Sequence, residues 1–334
     1  MLFPLTQKAG TDARRQETHP AAGKSTAETI MPLAAFPKCF LDALVVDKTM
    51  TPETWIDQAA DRLGGLIDGL ELYWGFLPTG DDAALHALRD RAESRSLTLP
   101  MLCYSPDFTR PDPAERAQEI EKQKRAIEVT AALGGTFCRT LSGQRRDTVS
   151  RADGVRWAAE CIAACLPHAE KHGVTLILEN HYKDGYWTQP EFAQRADVFL
   201  ELLAAVPESH NFGVNFDPSN TLIAGDDPLA LLDAVKHRVV SMHASDRFLE
   251  GGTLADLKNM DADPQTGYAK ILRHGVIGHG LNDYDAIFSA LASVNFKGWV
   301  SIEDGDDPVV GWEHLRESAE FLKVKMSEHG LVLS

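Results

Sequence analysis

After Pro32, short apolar runs alternate with longer segments of helical period along almost the whole chain, which is the pattern of βα units on a parallel sheet. Gly69–Trp74, Leu97–Tyr104, Thr136–Thr140, Thr175–Glu179, Phe212–Phe216, Val239–His243 and Trp299–Glu303 have strand length, and a first strand is expected within Cys39–Val46. Apolar residues at helical spacing predict helices over Asp81–Arg95, Pro113–Leu133, Ala152–His172, Pro190–Ala205, Pro228–Val235, Asp283–Val294 and Gly311–Glu328. Thr51-Pro52-Glu53 is a helix start signal, and Gly134-Gly135 and Gly173 are stops. Eight such units predict an α/β fold, a single-domain (β/α)8 TIM barrel over residues 33–334. Residues 1–32 carry no amphipathic period and are expected to be a disordered extension. The irregular stretch between Arg247 and Tyr284, with Gly251-Gly252 and Gly278-His279-Gly280, reads as a lid or a partner-binding insertion.

Several of these strands stop at a polar, chemically capable residue. Thr-Leu-Ile-Leu runs into Glu179-Asn180-His181, Phe212–Phe216 into Asp217, Val239–Met242 into His243, and Trp299–Ile302 into Glu303. Spacings of 38, 26 and 60 residues separate Glu179, Asp217, His243 and Glu303, each compatible with one βα step, the last enlarged by the insertion. In a closed barrel the C-terminal strand ends converge on one rim. Taken singly, an acidic residue there is more often a helix cap or a solvated loop group, and a histidine more often a hydrogen-bonded core residue. Four together are harder to obtain by accident. Three carboxylates and one imidazole suit one hard divalent cation, Mn2+ foremost, with Mg2+, Co2+ or Zn2+ tolerated. Without it the carboxylates would repel one another.

Further candidates surround this set. Glu71 alternates with Leu70 and Leu72, which places it inside the barrel or near the site. His181 follows Glu179 by two residues and shares its side of an extended backbone, so its imidazole is expected to face the same cation; its bland alternative is a residue that orients a ligand or a neighbouring loop. Trp187, in the polar and aromatic loop after that strand, is a candidate substrate contact, although loop filler is nearly as good a reading. His279, between glycines, is a weaker one.

Lys plus Arg number 33 against 49 Asp plus Glu, a net charge of −16, which argues against a nucleic-acid partner. No apolar run has the roughly 18 to 20 residues of a membrane span. Five scattered cysteines fit reduced thiols in a cytoplasmic protein.

Leu178-Glu179-Asn180, Phe216-Asp217-Pro218-Ser219-Asn220, His243-Ala244-Ser245-Asp246-Arg247 and Ser301-Ile302-Glu303 resemble the motifs of the xylose-isomerase-like (sugar phosphate isomerase/epimerase) TIM-barrel superfamily, over about residues 34–328. The resemblance implies one divalent cation on Glu179, Asp217, His243 and Glu303, a sugar or glycoside substrate, proton transfer by Glu179 and Glu303, and Arg247 at the substrate oxygens; Asn180 and Asp246, in the same motifs, are further candidate substrate contacts. His181 departs from the epimerase pattern. A similar constellation marks the larger subunit of bacterial C-glycoside deglycosidases, which implies proton abstraction with His181 as the catalytic base, elimination on a 3-keto-glycoside, and a small second subunit or a homo-oligomer. Ketose 3-epimerisation or aldose–ketose isomerisation is the alternative. A non-catalytic binding protein and an abasic-site endonuclease rank below both, the latter because it needs more zinc-binding histidines and a basic groove.

Overall fold

Period-two alternation sorts the side chains of each strand to the two sides of a closed ring. The computed structural model describes residues 29–257, 260, 263, 266–305 and 307–333. Its central strands are β1 (Leu33–Ala35), β2 (Gly69–Leu70 and Leu72–Tyr73, interrupted at Glu71), β3 (Met101–Cys103), β4 (Phe137–Thr140), β5 (Thr175–Glu179), β6 (Phe212–Phe216), β7 (Val239–Ala244) and β8 (Trp299–Ile302). Nine strand segments therefore form one parallel sheet. The two halves of β2 take different neighbours, Ala34 beside Gly69 and Leu72 beside Leu102, and the eight-stranded barrel closes through this strand.

Leu70, Leu72, Leu102, Cys138, Leu176, Leu178, Val214, Phe216, Met242, Val300 and Ile302 face outward into the main core beneath the helices. The residues alternating with them face inward. Phe36, Met101, Cys103 and Ile177 make a small apolar plug inside the barrel. Glu71, Arg139, Glu179, His243 and Glu303 sit above it at the C-terminal end of the strands.

Helix starts follow local chemistry. Thr51, Asp81, Asp112, Ser150, Asp227 and Asp283 each accept a backbone N–H in the first turn of the helix that follows, and Pro52, Pro113 and Pro228 occupy first helical positions. The helix Arg151–His172 ends at Gly173, whose φ of 66° is the left-handed cap that turns the chain into β5.

Three expectations need correction. The first strand is not within Cys39–Val46: Lys38–Phe40 and Asp42–Val46 form helical turns, and Leu33–Ala35 pairs with β8 instead. The β-branched pair Val45-Val46 carries more local strand propensity than the short alanine-containing segment that forms the strand. Folded chain also starts earlier than residue 33, since Thr29–Ile30 pairs antiparallel with Val332–Leu333 and Met31 is fully buried. The remainder of the expected disordered extension, residues 1–28, lies outside the described residues. The helix expected from Pro190 begins only at Ala196, because Glu191 is drawn into a bridge with Gln144 and Phe192 N–H donates to the Gly143 carbonyl. The segment after β7 has a framework of its own: Asp246–Leu249 and Leu272–Gly275 form an antiparallel hairpin, with a helical turn at Leu254–Leu257 between them. All five cysteines are buried free thiols, and no helix among the described residues is long and apolar enough to cross a membrane.

Candidate active site

Ligand-type atoms of Glu179, Asp217, His243 and Glu303 lie within 4.8 Å of one another at the rim, and all four residues are buried. Each ends its strand because the inward period delivers it there. Glu179 closes β5, Asp217 follows β6 and caps the helix Pro218–Ile223, His243 is the last inward residue of β7, and Glu303 follows β8. His243 is fixed from behind: its Nε2 lies 3.0 Å from Glu71 Oε2, while Nδ1 points at Glu179 Oε1 (3.1 Å) and Glu303 Oε2 (2.6 Å). A carboxylate behind an imidazole whose other nitrogen faces anionic oxygens is the support that metal-ligating histidines receive.

Electrostatics supports the same fit. Burial raises Asp217 to about 7, and Glu303 and Glu179 add to the rise, so the carboxylates repel one another. Burial disfavours a charged His243, but Glu71, Glu179 and Glu303 outweigh it and hold its pKa well above the ordinary value. Burial likewise opposes charge on Glu179, yet His243, His181 and Arg139 hold it down at about 2. Glu303 is pushed up by burial and pulled well below its usual value by Lys38 and His243. A cation would displace the protons that His243 and Asp217 hold here, and the resulting set of three carboxylates and one neutral imidazole fits a hard divalent ion.

Around the quartet stand residues that the sequence did not single out. Arg139 Nη1 donates to Glu179 Oε2 at 2.9 Å and Nη2 to Ser105 Oγ at 2.9 Å. Lys38 Nζ meets Glu303 Oε1 at 2.7 Å, Asn220 Nδ2 donates to Glu179 Oε1 at 3.1 Å, and Ser245 Oγ donates to Asp217 Oδ1 at 2.7 Å. Arg139 left a signal in the sequence, a lone charge inside an otherwise uncharged strand. Lys38 follows the end of β1 by three residues, so its signal depends on where that short strand lies.

A cavity of about 310 Å3 opens onto these groups, lined by Lys38, Tyr73, Arg139, His181, Tyr182, Asp184 and Glu303 among others. His181 is buried, stacks on Tyr182 with ring centroids 5.1 Å apart, and among the described residues its Nδ1 has no hydrogen-bond partner. Burial lowers its pKa to about 4, against the pull of Glu179, so the imidazole is neutral at pH 7. Arg247 is buried with its guanidinium over Tyr268, 4.5 Å from the ring centroid, outside the cavity lining, and among the described residues its Nε and Nη1 have no hydrogen-bond partner.

Other expected substrate contacts are placed differently. Asn180 is spent on the backbone of Asp217, donating to its carbonyl at 2.6 Å and accepting from its N–H at 2.9 Å. The Asp246 carboxylate accepts N–H groups of Arg247, Gly278, Gly280 and Asn282, which shapes the hairpin loop. Glu71 stands behind His243. Trp187 is half-buried and does not line the cavity. His279 is exposed and lies 3.4 Å from Glu317 in a surface pair, because the glycines flanking it turn the loop outward.

A closed parallel barrel with an acidic, histidine-containing rim defines the class. The chain belongs to the xylose isomerase-like TIM barrel family, which matches residues 58–325. Among curated relatives, the inosose dehydratase of Clostridium beijerinckii is 24% identical over 162 residues, covering 47% of this chain and 50% of that protein. The inosose dehydratase of Clostridium botulinum is 25% identical over 164 residues, again 50% of its length, so the match spans about half of these curated relatives. Among solved structures, a D-tagatose 3-epimerase-like protein superposes with a TM-score of 0.67 at 17% identity, covering 90% of this chain and 98% of the other. The IOLI protein, solved with a zinc atom, superposes with a TM-score of 0.64 at 18% identity and the same coverages. At these identities the structural likeness shows the fold.

Proposed function

We propose that this protein is a divalent-metal-dependent enzyme that removes a proton beside the carbonyl of a cyclic keto sugar and expels the group on the next carbon, with a 3-keto-glycoside as the favoured substrate class. The observation that carries this reading is the unpartnered Nδ1 of buried His181, which lines the same cavity as Glu303, Arg139 and Lys38. Glu179 is a poorer base for that step, being already held by Arg139, Asn220 and His243. The inosose dehydratase relatives, whose name denotes loss of water from a keto cyclitol, agree with elimination over half their length.

Glu179, Asp217, His243 and Glu303 would hold the cation, which when bound draws electron density from a substrate carbonyl and eases proton loss from the adjacent carbon. His181 takes that proton. The C–H electron pair moves toward the carbonyl and then forms the new double bond as the leaving group departs with its own bonding pair. Arg139 and Lys38 orient Glu179 and Glu303.

Two measurements test this. Chelation should abolish turnover of a 3-keto-glucoside and Mn2+ or Mg2+ restore it; full activity in thoroughly demetallated protein overturns the metal reading. His181→Ala should keep its metal and fold but lose about 10²–10⁴-fold in both leaving-group release and solvent-deuterium exchange at the carbon beside the carbonyl. Wild-type exchange in that variant, with metal bound, assigns proton transfer to Glu179 and Glu303 and favours ketose 3-epimerisation.

A further inference from the structure

On the outside of the barrel, on two neighbouring helices, a second group of ligand-type residues converges. His168 and His172 stand four residues apart in the last turns of the helix Arg151–His172, so both imidazoles leave the same face. Their ring centroids are 4.6 Å apart. Glu128, on the packed neighbouring helix Pro113–Ala132, reaches across so that its Oε1 lies 3.1 Å from His168 Nε2. One donor atom from each of the three residues lies within 4.8 Å of the other two, and all three are half-buried.

We infer that Glu128, His168 and His172 form a second metal site, specific for a borderline cation of the Zn2+ class, which clips these two helices together. Two imidazoles and one carboxylate make a nitrogen-rich donor set, whereas the rim offers three carboxylates and one imidazole, so the two sites differ in the metals they favour. Zinc bonds of about 2.0–2.2 Å in tetrahedral geometry need donors roughly 3.4 Å apart, a contraction that side-chain rotation supplies. Glu128 is already aimed for the task, since its Oε2 is held by Arg125 Nη1 at 3.0 Å, which leaves Oε1 toward the imidazoles. Three protein ligands leave a fourth position to water. The rim acid–base groups are absent from this face, so its role is to hold helices. Gly173 and β5 follow His172 directly, and the clip therefore anchors the chain where it enters the strand that carries Glu179.

The test is zinc stoichiometry by equilibrium dialysis on the full chain after complete demetallation, with melting temperature measured alongside. Wild type should take up two equivalents. His168→Gln/His172→Gln should take up one and lose the part of the zinc-dependent rise in melting temperature that the outer site contributes, while activity with Mn2+ stays at wild-type level. His243→Ala should also drop to one equivalent and report on the rim alone, so failure of either site shows separately. Equal zinc uptake by wild type and the double variant, or one equivalent in wild type with the rim variant at zero, overturns the outer site. If the double variant folds poorly, His172→Gln alone, at the end of its helix, should weaken the second equivalent at least tenfold; unchanged binding in that variant overturns the inference as well.

Discussion

Arg139 shows what a single side chain does at this rim. It is buried, bonded to Glu179 at 2.9 Å, and surrounded by groups that outweigh its own desolvation and keep it charged. Removing one partner of a buried pair costs about 3–5 kcal/mol because the other charge is left without compensation. Arg139→Met should therefore lower urea-unfolding stability by about that amount in chelated protein, and by less once Mn2+ takes over as the partner of Glu179. Equal losses with and without metal would place Arg139 outside the metal's electrostatic reach. Glu191 gives a second test at this scale. Burial raises its pKa from 4.5 to about 8, Ser142 N–H donates to Oε1 at 2.7 Å, and Oε2 has no partner among the described residues. Between those two pH values the folded chain holds a proton there that the unfolded chain releases. Its contribution is therefore complete below about pH 4.5 and lost as pH rises through about 8, with a slope of up to ~1.4 kcal/mol per pH unit. Glu191→Gln, which mimics the protonated acid, should flatten that part of the stability profile; an unchanged slope would show that other groups set it.

Caps and edges govern the elements. Gly173 occupies the left-handed region at φ 66°, and an added Cβ there would meet nothing within 4 Å, so the cost of Gly173→Ala is backbone strain alone. About 1–2 kcal/mol is expected, read as a shift in urea midpoint with an unchanged m-value. The chain start is a second case. Thr29–Ile30 pairs with Val332–Leu333, Met31 N–H donates to the Leu331 carbonyl, and the Met31 side chain has no exposure. Protein beginning at residue 33 should melt several degrees below protein beginning at residue 29, through loss of a buried methionine worth about 2–5 kcal/mol. Equal melting temperatures would make that pairing incidental.

For the molecule as a whole, the barrel assembles like charges that its own groups only partly neutralise. Arg139, Lys38 and a charged His243 offset three buried carboxylates at the rim. A cation bound there stabilises only the folded state, by RT ln(1 + [L]/Kd), or about 2.7 kcal/mol at a hundredfold excess over Kd. Titrating Mn2+ into chelated protein should thus raise the melting temperature steadily with concentration, and Asp217→Asn should blunt the response. A melting temperature indifferent to Mn2+ in wild type would count against a rim metal.

What the chain alone determined is the alternating order of strands and helices and the four residues at strand ends, because period, caps and strand termini are local properties. The helix Gly311–Glu328 falls where the apolar spacing puts it, and Pro228–Val235 where spacing, the Asp227 cap and Pro228 put it. Ring closure was decided in three dimensions. A three-residue strand such as Leu33–Ala35 has too little local signal to outcompete Val45-Val46, and only its pairing with β8 and β2 makes it a strand. The same holds for side-chain roles. Glu71, Asn180 and Asp246 are polar residues beside a site in the sequence, but partners distant in the chain assign them to His243, to the Asp217 backbone and to the loop amides. Arg139, Lys38 and the outer Glu128–His168–His172 group likewise acquire their chemistry from residues that only folding brings within bonding distance.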